Sequence, residues 1–125
     1  MAVYGLDGLD EISVSAETMV GELVAGEIRE YNLHPSHFGL ELYDRRAIQV
    51  QGVDESKEMM FAVLGNQPGP AHNIVALNAG AAIYVGGLAK THKEGVERAR
   101  GAIASGDARR KLDEFVAFSR KLKGN

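Results

Sequence analysis

The sequence of 125 residues contains no cysteine. A chain without cysteine has no disulfide framework, no thiol nucleophile and no thiolate metal site. The absence is compatible with a reducing compartment, and the N-terminus lacks the basic-then-apolar pattern of a secretory signal. We therefore expect a cytoplasmic protein whose chemistry uses oxygen and nitrogen groups.

Long apolar runs and an excess of positive charge are also missing. The most apolar stretch, residues 74–89, is interrupted by Asn78 and is too short to cross a bilayer. The formal net charge is −3, so no overall basic field attracts nucleic acid or an anionic membrane surface. We expect neither a membrane nor a nucleic acid as a partner.

What is present is the composition of one globular domain. The chain is 45% hydrophobic and 25% charged, which is enough apolar material for a core and enough charge for a solvated surface. It shows no internal repeat and no linker. Residues 1–125 are therefore expected to form a single unit.

The first half of the sequence predicts strands. Ala25-Gly26 is the turn of a β-hairpin, and Pro35 ends the second arm of that hairpin. An irregular loop with a helical turn follows. The strands and extended segments are expected at residues 1–4, 11–15, 19–24, 27–33 and 47–51.

The second half predicts four helices. Asp54 and Asp107 are expected to cap the first and the last, Thr91 opens a capping box, and Pro70 suits a first helical turn. The helices are expected over residues 54–64 and 71–85, from Thr91 to Gly106, and from Asp107 onwards. The second is apolar on almost every side and should be buried on most faces.

These elements predict an α/β fold. We expect a short mixed sheet with a β-hairpin, followed by about four helices. The sheet should pack against the 71–85 helix and the two C-terminal helices. The apolar face of the last helix consists of Leu112, Phe115, Val116, Ser119 and Leu122.

Adjacent carboxylates, Asp10 and Glu11, end a loop that carries glycines at positions 5 and 8. Glycines let the backbone approach a ligand closely. Paired carboxylates suit Mg²⁺, because this ion takes one or two of them and completes its shell with water and substrate phosphates. The alternative is a solvated turn, since aspartate and glycine are ordinary turn residues, and spacing alone favours the turn.

Other polar residues give weaker signals. The histidines at positions 34, 37, 72 and 92 show no metal-ligand arrangement and are expected at the surface. Asn78 lies inside an apolar helix, and a buried amide must be hydrogen-bonded. We expect Asn78 to tie its helix to a neighbouring loop rather than to contact a ligand.

Two charged clusters are expected to be solvated. Asp44, Arg45 and Arg46 are most simply interpreted as an exposed loop. Asp113 and Glu114 are interspersed among the basic residues of the last helix, and no aromatic stacking platform is present, which favours a solvated face over phosphate or nucleic-acid binding. No Ser-His-Asp arrangement and no Rossmann or P-loop glycine pattern is present.

Several blocks of the sequence resemble one enzyme family. Gly-Leu-Asp-Glu-Ile-Ser at residues 8–13, preceded by Val-Tyr-Gly at 3–5, resembles the acidic metal motif of the anthranilate phosphoribosyltransferases, relatives of the nucleoside phosphorylases. Further blocks follow in the family's order at residues 26–31, 35–40, 69–70 and 73–79. The resemblance covers nearly the whole chain, but only the C-terminal part of such an enzyme.

The resemblance implies a function. The family moves the phosphoribosyl group of phosphoribosyl pyrophosphate onto anthranilate in tryptophan biosynthesis, and its acidic pair helps to hold the Mg²⁺ that bridges to the pyrophosphate. Carried over residue by residue, this assigns Asp10 and Glu11 as metal ligands and no catalytic residue within the chain. Tyr4 stands where many family members have histidine.

The resemblance also implies that several functional parts of the family lie outside residues 1–125. The family's glycine-rich phosphate loop, Lys-His-Gly-Asn stretch, anthranilate contacts and dimerisation helices lie upstream of the matched region. We expect residues 1–125 to be a fragment of the C-terminal α/β domain, from a truncated gene, an excised domain or proteolysis. It should be inactive alone and self-associate through an open sheet edge. The alternatives are a non-enzymatic scaffold or interaction module, or a nucleoside phosphorylase-like protein.

Overall fold

The computed structural model describes residues 1–124. Strands β1, β2 and β3 span Ala2–Gly5, Thr18–Val24 and Glu27–Leu33. Helices α1, α2, α3 and α4 span Val53–Leu64, Pro70–Val85, His92–Ala104 and Asp107–Leu122. Short 3₁₀ helices at Pro35–Phe38 and Arg45–Ile48 lie between the sheet and α1. The α/β class, the hairpin and the four helices are confirmed.

The sheet has the order β1-β2-β3, and both strand pairs are antiparallel rather than mixed. The predicted strand over residues 11–15 does not join it. Side chains satisfy this segment instead, because the Asn78 amide bonds both backbone groups of Ile12, and the Ser13 N–H donates to Thr18 Oγ1 at 3.0 Å. A backbone satisfied in this way needs no ladder partner.

The hairpin turn forms at Ala25-Gly26 as predicted. Both residues have positive φ, 51° and 88°, as a type I′ turn requires, and this turn matches the twist of the paired strands. Beside the turn, Leu23 lies opposite Ile28. Both of these side chains are exposed, so the tip of the hairpin extends beyond the core.

Two predicted helix starts are confirmed. Pro70 is the first residue of α2. The Thr91 side chain accepts a hydrogen bond from the Glu94 N–H at 3.1 Å and caps α3. The reciprocal bond of the capping box is shifted by one residue, because the Glu94 carboxylate accepts from the Lys90 N–H at 2.8 Å.

Three local predictions need correction. Helix α1 follows Gly52, so Asp54 lies in its first turn rather than at its cap. Helix α4 begins at Asp107 itself, after Gly106 in the left-handed conformation. Of the segment predicted to be extended over residues 47–51, residues 47–48 belong to the 3₁₀ helix Arg45–Ile48, which Asp44 caps through its side chain, whereas Gln49 has extended backbone angles.

Helices α2 and α3 pack closely at two glycines. A Cβ placed on Gly95 would lie 2.1 Å from the Gly80 carbonyl oxygen, and one on Gly80 would lie 2.6 Å from the backbone nitrogen of Val96. These neighbours are backbone atoms, so no side chain can move aside. The core beside this contact consists of Ile12, Val14, Ala76, Leu77, Ala81 and Val96.

Two helices keep exposed apolar faces. Val75 and Val85 of α2 are 41% and 55% exposed, and Phe115 and Leu122 of α4 are 64% and 72% exposed. The expectation that α2 is buried on most faces holds for 13 of its 16 residues, which are buried or half-buried, and fails at the strip formed by Val75, Ala82 and Val85. Within the same residues, no helix is both long enough and apolar enough to cross a bilayer.

The glycine contact gives a paired prediction. Gly95→Ala should lower the free energy of unfolding by about 1–3 kcal/mol, the usual cost of overpacking, because its Cβ meets the Gly80 carbonyl. Gly101→Ala, in the same helix but with open space around it, should raise that free energy by roughly 0.5–1 kcal/mol. Urea unfolding of both variants tests this, and equal effects would contradict the close approach of α2 and α3.

Candidate functional site

A closed loop connects β1 to β2. The Gly5 N–H donates to the Leu9 carbonyl at 2.8 Å, and the Gly8 N–H donates to the Gly5 carbonyl at 2.8 Å. The Leu6 N–H donates to the Glu17 carbonyl at 2.8 Å and joins the two ends. Gly8 has a φ of 87°, a value that glycine adopts without strain. The loop is therefore held in one shape by its own backbone.

Asp7 closes the loop from inside. Its carboxylate accepts hydrogen bonds from Ser13 Oγ at 2.7 Å, from Ser15 Oγ, and from the Leu9 N–H at 3.3 Å. Burial tends to raise the pKa of Asp7, but the bonds from Ser15, Ser13 and Leu9 outweigh it, so the pKa lies below its ordinary value. Asp7 is thus a charged acceptor used by the loop itself.

Asn78 holds the loop from the α2 side. Its Oδ1 accepts from the Ile12 N–H at 2.9 Å, and its Nδ2 donates to the Ile12 carbonyl at 2.9 Å. The predicted tie between the apolar helix and a neighbouring loop is therefore confirmed. The Ile12 side chain is only 2% exposed, so this residue is fixed through both its backbone and its side chain.

Asp10 and Glu11 lie between these two anchors and face solvent. Both residues are exposed, and within residues 1–124 neither carboxylate accepts a hydrogen bond or forms an ion pair. Their backbone is constrained by Asp7 and Asn78 on either side. The loop therefore presents two carboxylates that no other protein group of the described chain occupies.

Glu11 borders a groove of about 450 Å³ between the loop and helices α1 and α2. The groove is lined mainly by apolar side chains, among them Leu9, Met59 and Ile74. Asp10 does not line it. Glu11 thus lies where the loop meets an open apolar surface.

The donor set fits Mg²⁺ but does not complete a site. Carboxylate oxygens are the hard ligands that this ion takes from proteins, usually one or two at a time. Among residues 1–124, no three acidic or histidine side chains are grouped so that they could hold a metal. The other positions around an ion at Asp10 and Glu11 would belong to water and phosphate oxygens.

Arg45 is a neighbour of the loop that the sequence pattern did not indicate. Its Nη1 donates to the Asp7 carbonyl at 2.7 Å, across 38 positions of sequence. Its neighbours Asp44 and Arg46 pair with each other in solvent, as expected for a solvated cluster. Arg45 differs from its neighbours in the described chain by its hydrogen bond to the distant Asp7 carbonyl, and no local sequence signal indicates that bond.

Tyr4 and the basic residues of α4 contribute nothing to the acidic pair. Tyr4 is exposed on β1, where it pairs with Met19. The basic side chains of α4 are exposed, as expected for a solvated face, and three of them form ion pairs one helical turn apart. These pairs are Arg109–Asp113, Arg110–Asp107 and Lys111–Glu114.

His92 departs from the expected surface position. Its Nε2–H donates to the Leu77 carbonyl at 2.9 Å, and its ring meets Phe38 edge-on, with centroids 4.5 Å apart. Nδ1 is buried without a hydrogen-bond partner in the described chain. Burial lowers the pKa of His92, and the Leu77 bond and the Glu22 charge oppose it only in part. The ring is a neutral structural link between α2 and α3.

Comparison with known proteins assigns the fold and loop to a class. The family model described as "Glycosyl transferase family, a/b domain" matches residues 1–109. The match includes the acidic loop, the whole sheet and helices α1 to α3. The chain belongs to this family.

Within that class, the chain is similar to several anthranilate phosphoribosyltransferases. The enzymes of Dechloromonas aromatica and Aromatoleum aromaticum are 55% and 53% identical in sequence to this chain. Each alignment covers 98% of this chain and 36% of the relative. The solved enzyme from Thermus thermophilus is 36% identical, with a TM-score of 0.83 over 94% of this chain and 35% of that one. The chain thus spans about a third of the length of these relatives.

One solved relative, from yeast, has PRPP and Mg bound. The anthranilate phosphoribosyltransferase of Saccharomyces cerevisiae in complex with PRPP and Mg is 27% identical, with a TM-score of 0.81. The match covers 92% of this chain and 33% of that chain. Mg and phosphoribosyl pyrophosphate therefore bind a protein that shares this fold.

His92 gives a prediction about pH. The unfolded chain takes up a proton near the ordinary histidine pKa of 6.5, whereas the folded chain takes it up only at lower pH. The free energy of unfolding should therefore fall as pH drops below that value, by less than about 1.4 kcal/mol per pH unit for one proton. His92→Gln should remove part of this slope in urea titrations at pH 7, 6 and 5. His37→Gln, at an exposed histidine, is the control, and an unchanged slope in His92→Gln would contradict the account.

Proposed function

We propose that this chain supplies the Mg²⁺-binding part of a transferase that moves phosphoribosyl from phosphoribosyl pyrophosphate to anthranilate. One observation carries the proposal. The loop uses Asp7 for its own hydrogen bonds and leaves Asp10 and Glu11 exposed side by side. The similarity to anthranilate phosphoribosyltransferases supports the substrate assignment.

The chemistry of this reaction suits a site without a covalent nucleophile. A bond forms between the anthranilate nitrogen and C1 of the ribose, the bond from C1 to the pyrophosphate oxygen breaks, and the amine loses a proton. Bound Mg²⁺ neutralises the negative charge that grows on the pyrophosphate. Asp10 and Glu11 would hold this metal and, with it, the pyrophosphate end of the substrate. Because the loop is already fixed, they contribute positioning without reorganisation.

We also propose that the described residues are one unit of a larger α/β domain and are inactive alone. One carboxylate pair can orient a leaving group but cannot orient both substrates. Exposed apolar faces on α2 and α4, and the open sheet edges of β1 and β3, support this proposal. In isolation, such surfaces favour self-association. The absence of cysteine is compatible with the proposed cytoplasmic location.

A chimera tests the proposal directly. The corresponding segment of the Dechloromonas aromatica enzyme, which is 55% identical over 122 residues, is replaced by this chain. The chimera should form phosphoribosylanthranilate, whereas the chain alone should not. Asp10→Asn with Glu11→Gln should lower turnover of the chimera on the order of 10²–10³-fold, because the amides remove both charges at nearly constant size.

A second Asp-Glu pair provides the matched control. Asp54 and Glu55 lie on the first turn of α1, so Asp54→Asn with Glu55→Gln changes the same charge without touching the loop. This control should keep the turnover of the unsubstituted chimera. A folded but inactive chimera would favour the non-enzymatic module, and equal losses in both double variants would refute the metal-ligand assignment.

A further inference from the structure

The amide of Asn78 makes three hydrogen bonds, and two of them go to one residue. Besides the pair with Ile12, Nδ2 donates to the Ile74 carbonyl at 2.9 Å. This third bond, within α2, fixes which end of the amide carries the oxygen. A flipped amide would set its NH₂ against the Ile12 N–H and its oxygen against the Ile12 and Ile74 carbonyls. Asn78 therefore has one satisfied orientation.

This pairing replaces a strand. A residue in an antiparallel ladder exchanges its N–H and C=O with one partner residue, and Asn78 offers both groups from a single side chain. The two bonds satisfy the backbone of Ile12 as a ladder partner would, yet no strand has to lie beside it. The space next to Asp10 and Glu11 stays open for a ligand.

The restraint reaches the acidic pair directly. Glu11 is the residue before Ile12, and the Ile12 side chain is buried in the core with Leu77 and Val96. A shift of the Ile12 backbone would therefore displace Glu11 and then Asp10. The bonds of Asp7 restrain the loop before and after this point but do not bond Asp10, Glu11 or Ile12.

We propose that Asn78 is a positioning residue for the metal ligands Asp10 and Glu11, acting through the backbone of Ile12. This inference rests on the proposed function, because it assumes that the acidic pair binds a metal. Removal of residues that orient metal ligands typically lowers metal affinity about 10–100-fold. A residue that only stabilised the packing of α2 would change stability and leave the affinity of the folded chain unchanged.

The test uses the full 125-residue chain and Mn²⁺ alone as the probe. Paramagnetic broadening of the Asp10 and Glu11 amide signals gives the Mn²⁺ concentration needed for half-maximal effect. Asn78→Leu keeps the branched shape and the number of heavy atoms of the side chain and removes all three bonds. Ile103→Val, a buried position in α3, lowers stability without touching the loop. Hydrogen exchange of the Ile12 amide is followed in each variant, with sucrose added if Asn78→Leu is unstable.

The account predicts that Asn78→Leu needs at least about tenfold more Mn²⁺ for the same broadening, and that its Ile12 amide exchanges much faster. Saturating Mn²⁺ should still restore full broadening, because both carboxylates remain. Ile103→Val should match the unsubstituted chain in both measurements. A folded Asn78→Leu variant with unchanged affinity would overturn the inference.

Failure of the proposed function gives a different result. If Asp10→Asn with Glu11→Gln leaves Mn²⁺ broadening unchanged, the acidic pair is not a metal site, and the exchange data then decide the role of Asn78. Fast exchange of the Ile12 amide in Asn78→Leu would still support its hold on the loop. Slow exchange would overturn the inference as well.

Discussion

The hydrogen bonds between the Asn78 side chain and the Ile12 backbone connect the two halves of the chain. The two residues are 66 positions apart in sequence, and they bring the acidic loop onto the helix that forms the core. A buried backbone group without a partner costs about 1–3 kcal/mol, so α2 cannot bury Ile12 unless a polar group satisfies it. Asn78, one of the two asparagines of α2, meets that requirement.

Neighbouring carboxylates in one loop have opposite environments. The Asp7 carboxylate accepts hydrogen bonds from the hydroxyls of Ser13 and Ser15, and these bonds stabilise the loop. Asp10 and Glu11 are exposed and receive no hydrogen bond from residues 1–124. If every carboxylate of the loop accepted hydrogen bonds from the protein, the loop would be more stable but would have no free carboxylate to bind a cation. We propose that these two unpaired carboxylates bind a metal.

The close approach of α2 and α3 gives this arrangement its rigidity. Gly80 and Gly95 bring the two backbones together, and His92 adds a hydrogen bond from α3 to the Leu77 carbonyl of α2. Leu77 directly precedes Asn78, so the hydrogen bond from His92 restrains the part of α2 that binds the loop. The helix pair thus acts as a support for the loop on its other side.

Several features set by local sequence could be predicted, although the caps expected at Asp54 and Asp107 did not form. Most features set by distant contacts could not be predicted, and the tie made by Asn78 is the exception. The Ala25-Gly26 turn, Pro70 and the Thr91 cap depend on their own neighbours and formed as expected. The strand predicted over residues 11–15 failed because its hydrogen bonds go to Asn78 and Thr18. Apolar periodicity showed that α2 was hydrophobic but not which face this chain would bury.

The candidate site divides in the same way. The acidic pair was visible in the sequence through its motif. That Asp7 would turn inward, and that Arg45 would bond to the loop across 38 positions, depends on the folded chain. The burial of His92 likewise depends on Phe38 and Leu77, which lie far from it in sequence.

Anomalous scattering from Mn²⁺ in crystals of the chain grown with manganese and pyrophosphate would test the central claim most directly. The account predicts a manganese peak bonded to carboxylate oxygens of both Asp10 and Glu11, with pyrophosphate oxygens completing its shell. Asp7 should remain bonded to Ser13 and Ser15. A manganese peak on Asp7, or the absence of any peak at Asp10 and Glu11 with the metal bound elsewhere, would contradict it.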